Sequence, residues 1–322
     1  MQRVVRVLLA VILLLLPTAT AVAADQRSYV AGRFALELDG VVVGSLQDAG
    51  GGYPYADVVA ESVGADQIVR KHIAGVKYED ITVSFGAGMG KPLYEWIKAS
   101  FDNKFERKSG SIIYLNDNGR ERSRLTFTNA LITEVGFPAL DASSKDAAKM
   151  TLKLVPEVTR RSTKSAGQPV RIDAGKQKQW LPANFRFSLD GLEQTTARVN
   201  KIEAIVVKQK VVENPVGEMR DYEKEPAHLE IPNLQVSLAD LDADGMLDWA
   251  DSFIVQGLNG QGEEKAGSLD YLDTDGNSLF HLGLDHVGIA GVETAREASS
   301  GLATGRITAT LYVEGMSFSY AA

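Results

Sequence analysis

Cysteine is absent from the 322-residue chain, so disulfides, zinc–thiolate sites and thiol nucleophiles are excluded, and stability has to come from apolar burial. Histidine is scarce: His72, His228, His281 and His286 are the four, with no metal-ligand spacing, and they read as structural or surface residues. No carboxylate pair stands out as a general acid and base, and no serine sits in a nucleophile-elbow pattern, so the expectation is a protein that is not an enzyme. Long apolar runs are missing except at the start. There Arg3 and Arg6 precede Val7 to Leu16, Pro17 breaks the run, and Ala21-Val22-Ala23 offers small residues for cleavage. Residues 1–24 are therefore expected to be a signal peptide, because the apolar core is short for a spanning helix. The mature protein would then be exported, periplasmic or extracellular, with no membrane span after cleavage.

Positive charge is also lacking, but only in part of the chain. Residues 26–157 carry 16 basic and 17 acidic side chains, residues 158–184 carry 6 and 1, and residues 185–322 carry 10 and 23. The last stretch, at net −13, excludes nonspecific nucleic-acid binding. The basic stretch (Arg160, Arg161, Lys164, Arg171, Lys176, Lys178) reads as a solvated connector lying against its acidic neighbour, or as a contact for an acidic partner.

What the chain does contain is a repeat. Ile81–Phe85 (ITVSF) falls on Leu234–Leu238 (LQVSL) and Trp96 on Trp249, both at a shift of 153. Gly110–Leu115 (GSIIYL) matches Gly267–Leu272 (GSLDYL) at a shift of 157, and Phe34–Gly40 (FALELDG) matches Phe185–Gly191 (FRFSLDG) at 151. A shift that only grows is how two tandem domains look when the second has gained loop residues; it excludes a solenoid of short repeats. The expected division is a domain at 25–157, a basic linker at 158–184 and a second domain at 185–322.

Within the first domain Phe34, Leu36 and Leu38 alternate with Ala35, Glu37 and Asp39, a half-buried strand ending at Asp39-Gly40. Val41–Leu46 is a candidate partner across that turn, whereas Tyr55–Val69 has no assignable period. Tyr78–Phe85 reads as a strand. Pro92 suits a first helical turn, and Leu93, Trp96, Ile97, Ser100 and Phe101 follow on one helical face. Asn116–Gly119 predicts a hairpin turn between Ile112–Leu115 and Arg124–Phe127, and Asp275-Gly276 repeats the device. Strands at 130–135 and 149–155 close the first domain, and strands at 283–288 and 306–313 close the second. The expected class is mainly β with one prominent helix per domain.

With that order in place, residues 33–157 resemble the tail tube proteins of T4-like contractile phages and the inner tubes of related injection systems. The resemblance rests on FALELDG, KYEDITVSF, LYEW, GSIIYLNDNG, LTFTNALITEVGFPALDASS and TLKLVPE in sequence. It implies β-sandwich or barrel domains with a flanking helix that assemble into six-membered rings, stack into a hollow tube and carry no catalytic residues. Two domains per chain then imply three chains per ring, a trimer acting as a pseudo-hexamer. Export and tandem fusion depart from the family and point to a host-encoded relative.

Two loops invite chemistry. Gly86–Lys91 (GAGMGK) lies between a strand and a helix, but Pro92 follows the lysine where a nucleotide loop needs a hydroxyl, so it reads as a connection. Asp240–Asp251 (DLDADGMLDWAD) resembles the twelve-residue calcium loop of EF-hand and dockerin-type sites, because a hard cation needs several oxygens around one point. Its expected Ca2+ ligands are Asp240, Asp242, Asp244, the Met246 carbonyl, Asp248 and Asp251, with aspartate in place of the usual glutamate at the last position. The other reading is an acidic turn favouring a helix N-terminus. Two functions follow: an exported structural protein that self-associates into rings or tubes, or an exported, calcium-stabilised monomeric binding module on the same fold.

Overall fold

The computed structural model describes residues 34–62, 68–163, 167, 169–172, 180–215, 222–296 and 305–321. The expected signal peptide and Lys164, Lys176 and Lys178 of the linker lie outside them.

The first half runs β1 (Phe34–Leu38), β2 (Val41–Leu46), β3 (Asp48–Gly51), β4 (Pro54–Ser62), β5 (Val69–Tyr78), β6 (Ile81–Phe85), α1 (Lys91–Phe101), β7 (Lys108–Leu115), β8 (Glu121–Phe137), β9 (Leu140–Asp141), β10 (Met150–Val155) and β11 (Val158–Ser162). The second runs β12 (Trp180–Leu189), α2 (Glu193–Thr196), β13 (Lys201–Ile202), β14 (Ile205–Pro215), β15 (Tyr222–Glu230), β16 (Leu234–Ala239), a 3-10 turn (Asp240–Asp242), α3 (Asp244–Ala250), a π-helical turn (Asp251–Val255), β17 (Lys265–Asp273), β18 (Ser278–Arg296) and β19 (Gly305–Tyr320). The fold is mainly β, with a nearly closed, barrel-like sheet.

Pairing order is the same in both halves. In the first, β1 pairs β7, β7 pairs β8, β8 pairs β10 and β11, β10 pairs β6, and β6 pairs β3. In the second, the order is β12-β17-β18-β19-β16-β13. The strand β19 occupies the place that Pro156 splits into β10 and β11, since proline supplies no donor to a ladder. Asp48 pairs with Ser84 and Lys201 with Ser237, both at the 153-residue shift. Asn129 and His286, 157 residues apart, both take positive φ (51° and 52°) and bend the long strands β8 and β18 at one equivalent point.

Helix α1 forms as its sequence predicts, with proline in its first turn and Leu93, Trp96, Ile97 and Phe101 buried. The Trp96 indole N–H donates to the Glu106 carbonyl at 2.8 Å, which ties the loop after the helix back onto it. The turn at Asn116 is held by its own side chain, which accepts from the Asn118 and Arg120 amides at 3.0 Å, while Gly119 takes φ +67°.

Several elements differ from the sequence reading. Of the aperiodic stretch 55–69, residues 55–62 lie in β4 and Val69 opens β5, and the two strands pair with each other across a bulge as a separate two-stranded sheet; residues 63–67 lie outside the described residues. Strands β8, β18 and β19 run well past their expected ends. The basic connector begins as strand β11 against β8, where the guanidinium groups of Arg160 and Arg161 stack on Tyr78 and on Tyr53 and Tyr114.

Each half also lends a strand to the sheet of the other. Strand β14 adds to β8 through Ile205–Lys208 opposite Glu134–Phe137, and β9 adds to β13 through Leu140 and Asp141. One continuous hydrophobic cluster, including Phe85, Trp96, Phe127, Phe137, Tyr271 and Phe318, draws on both halves.

Candidate functional site: the join between halves and the aspartate loop

The join between the halves is built by three elements. Helix α1 carries Tyr94 and Phe101, whose rings meet Phe280 and Tyr320 (5.3 and 5.1 Å from Tyr94) and Phe318 (5.7 Å from Phe101). Phe137, at the end of β8, stacks on Tyr271 at 5.6 Å. Burial pushes both tyrosine hydroxyls, of Tyr94 and Tyr271, well above the usual phenol range. Above the rings, β14 continues the β8 sheet, and its partner β15 carries Lys224, whose buried ammonium pairs with Glu213. Arg107 of the first half donates to the Lys224 carbonyl at 2.6 Å. The join therefore combines strand addition, ring burial and one polar clasp.

The six expected calcium ligands sit on three consecutive turns. Asp240 and Asp242 lie in the 3-10 turn, Asp244 opens α3, Met246 and Asp248 lie within it, and Asp251 begins the π-helical turn. Asp240 lies against Gly305, Arg198 stands 4.0 Å from Asp242, and Asp251 accepts from the Gln256 amide at 2.7 Å. Gly245 lies inside α3, where a Cβ would stand 2.4 Å from the Thr195 hydroxyl, so its small size serves the close approach of α2. The Met246 side chain is fully buried.

Among the described residues, the carboxylate and histidine atoms close enough to share one ion belong to Glu264, His286 and Glu314, all within 4.8 Å of one another, and not to the aspartate loop. Glu264 accepts from the Tyr312 hydroxyl at 2.6 Å and pairs with His286 at 2.9 Å. Those bonds, the tyrosine's first, hold its carboxyl below the usual range, while burial, followed by Glu264, pushes Tyr312 up to about 12. Shifted by 157, the trio falls on Arg107, Asn129 and Glu157, where the Asn129 amide donates to Glu157 at 2.8 Å and Arg107 stands 3.6 Å from it, although no metal-ligand spacing marks the trio in the sequence. His281 pairs with Asp270 at 2.9 Å, and His228 lies 3.8 Å from Glu230. In GAGMGK the amide of Gly90 donates to the Val43 carbonyl, and the Tyr94 hydroxyl donates to Ala87 at 2.8 Å. Both bonds tie the connection to the sheet.

The order of strands with one flanking helix defines a tail-tube-type β fold. Residues 30–159 match the family described as T4-like virus tail tube protein gp19. Among solved structures, the tube-terminating cap of the anti-feeding prophage is 27% identical with a TM-score of 0.37, over 45% of this chain and 99% of that chain. The sheath–tube complex of the extracellular contractile injection system PVC gives 23%, 0.37, 46% and 99% in the same order, and Hcp1 from Flavobacterium johnsoniae gives 17%, 0.29, 42% and 98%. No curated protein matches the chain. Among the described residues no helix is long and apolar enough to cross a membrane.

Proposed function

We propose that this chain is an exported, non-enzymatic structural protein made of two tail-tube-like domains in tandem, which self-associates into a ring. The observation that carries the reading is the join itself. Strand β14 of one half completes the sheet of the other through backbone hydrogen bonds, and strand addition of this kind extends readily from one neighbour to the next. The family match of residues 30–159 supports the same class of role, and the parallel pairing orders support a tandem origin. If six domains close a ring, three chains make it. First and second halves then alternate, at net charges of −1 for residues 26–157 and −13 for residues 185–322, which lowers repulsion relative to six acidic neighbours.

Calcium at Asp240, Asp242, Asp244, Met246, Asp248 and Asp251 is proposed separately, on the spacing of oxygen donors in the sequence alone. Light scattering of the mature protein, with calcium and with chelator, tests the ring. Three chains per particle is the expected mass. A strict monomer in both conditions overturns assembly and returns the chain to the class of monomeric binding modules.

A further inference from the structure

Two halves with the same pairing order allow each position to be read against its counterpart, and at one place the charge reverses. In the first half Arg107, Asn129 and Glu157 meet beside the bend of β8: the Asn129 amide donates to Glu157 at 2.8 Å, and the Arg107 guanidinium stands 3.6 Å from it. The carboxylate there is met by a cation and a neutral donor. Shifted by 157, the same three positions are Glu264, His286 and Glu314. The carboxylate is kept, the donor becomes an imidazole, and the cation becomes a second carboxylate. Ligating atoms of all three still lie within 4.8 Å of one another.

Among the described residues no lysine or arginine pairs with Glu264 or Glu314 to restore the lost positive charge. Lys265, next in sequence, is turned away: its ammonium donates to the Asp190 carbonyl at 3.1 Å and lies 5.5 Å from the centre of the Trp249 ring. The Glu264 side chain is 5% exposed, and a carboxylate so placed calls for a counter-charge. Three strands fix the geometry. His286 stands at the bend of β18, and the register that pairs Asp285 with Gly315 and Val287 with Val313 sets it opposite Glu314 on β19. Glu264 ends the segment before β17 and is aimed by Tyr312, whose hydroxyl donates to Oε1 at 2.6 Å and leaves Oε2 for the His286 Nδ1 at 2.9 Å. Ligands about 2.1 Å from one ion lie roughly 3 Å from each other, so Nδ1 and Oε2 are already spaced to share a metal.

We propose that Glu264, His286 and Glu314 bind a divalent transition-metal ion of the zinc type. The ion does in the second half what the Arg107 guanidinium does in the first: it ties the segment before a strand (β17 here, β7 there) to the bend that follows. An imidazole nitrogen among the ligands selects zinc-like ions over calcium, which takes oxygen, so this site is separate from the aspartate loop. The ion replaces the proton that His286 Nδ1 donates to Glu264; that proton leaves for solvent, and water completes the coordination on the exposed side. The site goes beyond the assembly reading and does not depend on it.

Zinc uptake by the untagged protein, measured by equilibrium dialysis with metal analysis, tests the site, and the absence of cysteine removes competing thiolates. One zinc per chain and a higher melting temperature are expected, both unchanged by excess calcium. His286→Asn puts at the positive-φ position the residue that the first half uses there, and adding Glu264→Arg rebuilds the whole first-half trio. Both variants are expected to match the parent by circular dichroism and to weaken zinc by about a hundredfold, the upper end of what losing even a ligand's own hydrogen-bond partner costs. The double variant is expected to melt at one temperature with or without zinc. Tyr312→Phe, which keeps all three ligands but releases Glu264 from its hydroxyl, is expected to weaken zinc about tenfold. No uptake by the parent, equal uptake by the parent and His286→Asn, or displacement of zinc by calcium overturns the site.

Discussion

Tyr271 is fully buried against Phe137 and Trp180, and its hydroxyl has no hydrogen-bond partner among the described residues. Leaving such a group unsatisfied costs about 1–3 kcal/mol, so Tyr271→Phe is expected to raise stability by roughly 1 kcal/mol, read as a higher urea midpoint at unchanged slope. Asp80, in the link between β5 and β6, has its pKa raised, first by burial and against the pull of Lys153 and Lys224. A carboxyl whose folded pKa lies above its unfolded value of 3.8 weakens the fold while ionised, and that penalty disappears as pH falls through the folded pKa. Asp80→Asn should therefore raise the melting temperature at neutral pH, and the gain should vanish in acid; an equal gain at every pH would rule burial out as its cause. For the aspartate loop, calcium at a hundredfold excess over its Kd adds about 2.7 kcal/mol to the folded state. The calcium proposal thus predicts a higher melting temperature for the intact chain with calcium than with chelator, and no such rise in Asp244→Ala. No heat of binding and no shift leave Asp244 as an acidic residue in the first turn of α3, where the helix dipole favours it.

At the scale of elements, Gly110 and Gly267 show why one stretch occurs twice. A Cβ at Gly110 would stand 2.1 Å from the Glu37 carbonyl oxygen, and one at Gly267 2.4 Å from that of Ser188, so β7 and β17 approach β1 and β12 too closely for any side chain. Gly110→Ala and Gly267→Ala are each expected to cost about 1–3 kcal/mol, and similar losses at the two sites would reflect the shared geometry; thermal melts of the two variants compare them. Such constraints are what made the fold readable: Pro92 and the spacing of Leu93, Trp96 and Ile97 specify α1, and Asn116–Gly119 specifies its hairpin. The β4–β5 ribbon was opaque because Val58 and Ile73 face solvent, which removes the alternation that marks a half-buried strand. The exchange of β9 and β14 was opaque for another reason: a period of two says which face is buried, not which strand lies alongside. In the aspartate loop the same residues suit a calcium turn and a helix start, and the contacts around Gly245 are invisible to spacing. On α1, Tyr94 lies outside the apolar face that the spacing marks, and it is buried because Phe280 and Tyr320 of the other half cover it.

Across the whole molecule, a shared core sets how the protein unfolds. Phe101 and Phe137 of the first half and Tyr271, Phe280 and Phe318 of the second belong to one cluster, and β9 and β14 cross in opposite directions. Separating the halves would bare both sides of that cluster and break two strand pairings at once, so neither half has a low-energy way to open alone. Residues 34–321 are therefore expected to melt in one cooperative step despite the repeat in their sequence, with calorimetric and van't Hoff enthalpies in agreement. Phe137→Ala, which leaves a large cavity at the junction, is expected to lower stability by about 3–5 kcal/mol and to move the single transition without splitting it. The measurement is made at several protein concentrations, because assembly makes the melting temperature depend on concentration. Two resolved transitions at the lowest concentration would mean that the halves are independent domains joined only by contact, and that the crossing strands add little to what each half holds by itself.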